Sequence, residues 1–166
     1  YSGVYTSDEL PMMITDLPYD FPGAPALAAL VAEAGAARLL PVFNTTSDHI
    51  AIQYPTINLV HHLQWDRPVL RIGICQHAEA HNFLDFGAAL GDAIARSDAR
   101  VGILASGGMS HRFPTLDTSS NHVKTAAEHV ISAEARAFDE AVLARWARGE
   151  HAGVIDSYPD YKPFKP

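Results

Sequence analysis

The stretch that most constrains this chain lies in its second half. Val69-Leu70-Arg71-Ile72-Gly73-Ile74-Cys75, preceded by Pro68, is apolar and rich in β-formers, and it predicts a buried strand. A polar loop over 76–82 follows, holding His77 and His81. Phe83, Phe86, Leu90 and Ile94 then recur at helical spacing and predict a helix over 83–97. Val101-Gly102-Ile103-Leu104-Ala105 predicts the next strand, which runs straight into Ser106-Gly107-Gly108. Strand, helix and strand in this order form a βαβ unit, with parallel strands and a right-handed crossover. The expected fold class is therefore α/β, a central, mostly parallel sheet with flanking helices in a single domain.

The remaining pattern is compatible with that frame. Pro25 opens an Ala/Leu-rich helix over 25–37, with Leu27, Leu30, Val31 and Ala34 on one face. Residues 39–43 and 49–54 read as short strands, and 56–63 as a short helix carrying His61 and His62. A long helix is expected over 132–149, with Phe138, Val142, Leu143 and Trp146 as its core stripe. Residues 1–23 read as loop-rich with one helical turn near 8–13, and the tail over 155–166 ends without completing an element. The chain, from Tyr1 to Pro166, is thus expected to be one α/β domain that is an incomplete portion of a longer one.

Composition narrows the possible roles. The 166 residues suffice for one sizeable core, and 48% hydrophobic against 19% charged residues excludes a disordered chain. Twelve Lys and Arg against 19 Asp and Glu give a net charge of −7 with no basic run, a poor match for nucleic acid or an anionic membrane. A single cysteine, Cys75, excludes an internal disulfide framework and a Cys-based zinc site. There is no apolar run of the ~18 residues a membrane span requires, and no signal-peptide pattern, so a reducing cytoplasm is the default address.

Nine histidines are many for this length, and histidine serves both as metal ligand and as proton carrier. In open α/β sheets ligands gather beyond the carboxyl ends of the strands. Both expected ends carry histidine: His77 and His81 after Cys75, and His111 in Ser106-Gly107-Gly108-Met109-Ser110-His111-Arg112. Two glycines let the backbone turn off a strand and approach a ligand closely. His111 is a candidate acid/base there, with a solvated surface histidine as the alternative. His77 and His81 have the i, i+4 spacing of a metal pair, but the residues between them do not match His-Glu-x-x-His, so capping or surface roles compete. His61 and His62 are expected to point apart on their helix, and His122, His129 and His151 to face solvent. Ser110 lacks the closing glycine of a nucleophile elbow. Spacing alone supports an α/β enzyme with a histidine-lined site.

The run from Val101 through Ser106-Gly107-Gly108-Met109-Ser110-His111-Arg112-Phe113 resembles the strand and glycine loop of class III extradiol ring-cleavage dioxygenases, the superfamily of the protocatechuate 4,5-dioxygenase catalytic subunit. The opening Gly3-Val4-Tyr5-Thr6-Ser7-Asp8-Glu9-Leu10-Pro11 resembles its homoprotocatechuate 2,3-dioxygenase branch, and Gln53-Tyr54-Pro55-Thr56 fits the same order. The resemblance implies an enzyme that opens a catechol ring beside its hydroxyls with O2, at non-haem Fe(II) held by two histidines and a glutamate. It implies that His111 is the acid/base that takes a catechol proton and later returns one. Tyr54, in a position where many relatives have histidine, would hydrogen-bond a substrate oxygen, or pack as an aromatic beneath the site. His81 would face the substrate, Arg112 would pair with a substrate carboxylate or form a surface ion pair, and Gly107 and Gly108 would border the substrate.

The family's iron-binding histidines precede the Gly-Val-Tyr-Thr stretch and its glutamate follows the segment ending at Pro166, so no metal ligand is expected within this chain. The implied partners are a catechol-type substrate and O2, with a homo-oligomer or a pairing with a second subunit. Two rivals are a metal-dependent hydrolase built on His77 and His81, and a non-catalytic partner subunit of the same fold.

Overall fold

The computed structural model describes residues 1–5, 17–47, 52–75, 78–110 and 132–164. These fall into two compact units, Tyr1–Leu104 and Ala105–Pro166.

The first unit opens with an antiparallel pair, β1 (Ser2–Tyr5) and β2 (Leu17–Asp20), where a loop-rich stretch was expected. Gly3 faces Tyr19 and Val4 faces Pro18. Proline is tolerated in β2 because a two-stranded ribbon consists only of edges. Past β2, Phe21 exchanges backbone hydrogen bonds with Tyr1, and the two rings lie 5.2 Å apart. Phe21, Ile52 and Ile57 then form a buried cluster, against which Tyr5, Leu17, Tyr19, Val60 and Val69 pack.

The expected first helix is present as α1 (Pro25–Ala37), with Pro25 in its first turn where a missing N–H costs nothing. Leu39, at φ 57°, then turns the chain left-handed and Leu40 N–H returns to Gly35 O, so 39–43 is a helix exit and not a strand. The helix expected over 56–63 is α2 (Tyr54–His62), which absorbs the end of the strand expected over 49–54. The helix expected over 83–97 is α3 (Ala80–Arg96) and starts earlier, because Glu79 and Asn82 cap it reciprocally: each side chain accepts from the other residue's backbone N–H. Helices α1 and α3 meet through Val31, Ala34, Ala89 and Ala93, with Phe86 and Leu90 beside them and Phe83 exposed. Ion pairs Arg38–Asp92 at 2.7 Å and Arg96–Glu33 at 2.6 Å bracket the contact.

Of the strand expected over 69–75, a parallel bridge between Val69 and Gly23 is formed, with Val69 N–H donating to Pro22 O. Ile72, Gly73, Ile74 and Cys75 are exposed, and beyond the Val69 bridge neither 70–75 nor 101–104 forms a strand ladder among the described residues.

The second unit is built on α4 (Ala133–Ala147), inside the expected 132–149. Ser132 caps it by accepting Ala135 N–H at 3.0 Å. At the other end Gly149, at φ 72°, closes a Schellman turn: its N–H bonds Trp146 O and the Glu150 N–H bonds Arg145 O. Ala135 and Val142 are buried, while Leu143 and Trp146, expected in the core, are exposed, Trp146 by 47%. Phe138 instead faces the tail, its ring stacked on Tyr161 at 5.7 Å and tilted against Phe164 at 5.4 Å. That tail is helical rather than open: α5 (His151–Asp156), α6 (Tyr158–Tyr161) and a 3₁₀ turn over Lys162–Phe164. The Arg145 guanidinium donates to Gly153 O and fixes the reversal between α4 and α5.

Candidate active site

The glycine loop enters the second unit with Gly107 and Gly108 in open space, a Cβ on either meeting nothing within 4 Å. The loop is fastened one step further on. Ser110 N–H donates to Asp139 Oδ1 at 3.1 Å, and Ser110 Oγ–H donates to Asp139 Oδ2 at 2.7 Å. The Tyr161 hydroxyl donates to the same Oδ1 at 2.5 Å. One carboxylate on α4 thus gathers a loop residue 29 positions before it and an aromatic 22 positions after it.

The electrostatics follow from this crowding. Burial works against the charge on Asp139, but the bonds from Tyr161 and Ser110 outweigh it and hold the carboxyl below its ordinary value. Tyr161 is pushed up to about 12, first by burial, then by donating to an anion and lying beside its charge. A carboxylate this acidic is a poor base near neutral pH, so Ser110 is not an activated nucleophile. Its hydroxyl is a tie.

Asp139 and Tyr161 escaped sequence reasoning, although one signal pointed to Asp139. It shares a helix face with Ala135, Phe138 and Val142, and an acidic residue on an apolar stripe needs a partner. His111 and Arg112 lie outside the described residues, as do His49, His77, His122 and His129. In the first unit, Tyr54 is the first residue of α2 and 42% exposed. His81 is exposed in the first turn of α3 rather than in a loop, its Nε2 3.0 Å from Asn82 Nδ2. His61 and His62 do not point apart; their rings meet edge to face at 5.2 Å on the last turn of α2. His151 is exposed at the start of α5.

Among the described residues, no three His, Cys, Asp or Glu side chains come together as a metal site, and no helix is long and apolar enough to cross a membrane.

The glycine loop and its anchor fall within a family-wide match: residues 1–165 fit the model of the catalytic LigB subunit of aromatic ring-opening dioxygenases, and the chain belongs to that family. It is also similar to the 3,4-dihydroxyphenylacetate 2,3-dioxygenase of Escherichia coli, 28% identical over 171 residues that cover 99% of this chain and 59% of that enzyme. The chain spans about three-fifths of that relative's length.

Proposed function

We propose that the full-length protein is a cytoplasmic extradiol dioxygenase that opens a substituted catechol with O2 at an Fe(II) centre, with His111 as the acid/base. The α/β fold with a central, mostly parallel sheet belongs to this proposal, and the parallel bridge between Gly23 and Val69 supports it. The observation that carries the functional reading is the family match over residues 1–165, which includes the whole glycine loop.

Bound iron would supply O2 activation from ligands outside this chain. The His111 imidazole accepts a catechol hydroxyl proton and returns it to the oxygen that needs one as the ring opens. Gly107 and Gly108, without side chains, leave room for the ring to approach the backbone. The family resemblance gives Tyr54 the role of donor to a substrate oxygen and His81 that of a substrate-facing residue. Arg112 pairs with a carboxylate substituent, a charge-assisted contact that favours acidic catechols.

The test is His111→Gln in the full-length enzyme with iron content matched to wild type. Oxygen uptake on a panel of catechols is expected to fall by ~10²–10⁴, the usual contribution of positioned proton transfer. Turnover within a few-fold of wild type would refute the assignment. Zinc in place of iron, with activity indifferent to O2, would refute the dioxygenase reading itself.

A further inference from the structure

The strongest feature outside the expected site residues is the carboxylate that fastens the end of the glycine loop. Gly107 and Gly108 give the loop the freest backbone available, and nothing stands within 4 Å of where their side chains would be. Ser110 removes that freedom. Its two donors engage the two oxygens of one carboxylate, at 3.1 and 2.7 Å, which fixes both its peptide plane and its side-chain rotamer. The carboxylate is held in turn by Tyr161, which donates to the oxygen that takes the Ser110 N–H and is itself 7% exposed and stacked on Phe138. Between the held Ser110 and the next residue, His111, lies one soft torsion and a planar peptide.

We propose that Asp139 is a positioning residue for ring cleavage: by clamping Ser110 to α4, with Tyr161 bracing it, it sets the point from which His111 leaves the glycine loop. The inference rests on the acid/base reading of His111. Asp139 touches neither substrate nor metal in this scheme. It acts by removing backbone freedom before the substrate arrives, as positioned proton transfer requires. A purely structural Asp139 would tie α6 to α4 and do nothing else.

The two roles separate in the full-length, iron-loaded enzyme. Asp139→Ala is expected to lower kcat ~10- to 100-fold, the cost of misplacing a reacting group by about 1 Å, while KM for the catechol moves by less than about threefold. Asp139→Asn, which keeps one oxygen for Ser110 or Tyr161, recovers part of the loss. In a His111→Gln background Asp139→Ala adds about twofold at most, because both changes act on one proton transfer. Hydrogen exchange in the metal-free protein gives a readout independent of turnover: the peptide spanning 105–111 exchanges faster in Asp139→Ala, with Asp139→Asn intermediate. Should Asp139→Ala not fold, Ser110→Ala removes the hydroxyl tie alone and is expected to shift both readouts in the same direction by less.

Losses that multiply in the double variant would overturn the inference, as would a kcat within about twofold of wild type for Asp139→Ala. If His111→Gln itself keeps wild-type turnover, the acid/base reading fails and this inference goes with it. If only Asp139→Ala keeps it, the positioning role fails alone.

Discussion

Replacing Tyr161 by Phe removes one hydroxyl and leaves the ring, so the stack on Phe138 at 5.7 Å should survive. What is lost is a 2.5 Å hydrogen bond to the ionised Asp139. Such bonds contribute ~1.5–3 kcal/mol, and Asp139 keeps both Ser110 donors, so the lower end applies, about 1.5–2 kcal/mol at pH 7. The wild-type contribution depends on pH. Tyr161 is raised from 10.0 to about 12 in the folded protein, so its contribution is complete below pH 10.0 and drains away as pH climbs to about 12. Two units correspond to about 2.7 kcal/mol, enough to erase the difference. Tyr161→Phe lacks this one titrating group and keeps the others, so the two stability curves should converge. The assay is urea unfolding in a Trp65→Phe background, with Trp146 on α4 as the emission reporter, at pH 7 and in steps from pH 9 to 11.5. A pH 7 loss below about 0.5 kcal/mol, or a gap that stays constant across the alkaline steps, would refute the network as the source of the raised tyrosine.

Other parts of the fold make equally definite predictions. Ile57→Ala, at a fully enclosed position beside Phe21 and Ile52, should cost ~2–5 kcal/mol by urea unfolding. Gly35→Ala should destabilise by about 1 kcal/mol despite better helix propensity, since its Cβ would lie 2.7 Å from the Val42 Cβ, which cannot swing aside. Gly91→Ala in α3, where nothing stands within 4 Å, should instead stabilise by ~0.5–1 kcal/mol, and thermal melts of the two variants should move in opposite directions. Gly149→Ala forces a side chain into the left-handed turn after α4 and should lower the melting temperature by the equivalent of ~1 kcal/mol.

How much of this could be read from the sequence varies with how local each cause is. Helix α1 was legible because Pro25 and the alanine-rich run act within one turn. Helix α4 was legible at both ends, in Ser132 and Gly149. The start of α3 was missed because Glu79 and Asn82 reverse the usual chemistry of a capping box, with the acid at the cap and the amide three residues on. The β1–β2 ribbon was hidden by Pro18, a strand breaker except at an edge. Leu39 looked like the first residue of an apolar strand, yet its backbone reverses direction to follow α1. At the site, the glycine loop announced itself within a few residues. Its anchor did not, because Asp139 and Tyr161 meet Ser110 only once α4 and α6 are in place.

The alanines between α1 and α3 have a consequence for the entropy of assembly. Ala34, Ala89 and Ala93 have no rotamers to lose, so at these three positions closing the seam freezes the backbone and no side-chain rotamer, and that cost falls on Val31, Phe86 and Leu90 beside them. The hydrophobic gain per residue is small for the same reason, since a methyl group offers little area. Around these alanines the contact is completed by Val31, Phe86 and Leu90, with many weak dispersion contacts summed together. At these three positions there is no soft side chain to take up an error. One added methyl group pushes the two axes apart along their whole contact, so the volume at these three positions is constrained more tightly than their hydrophobicity.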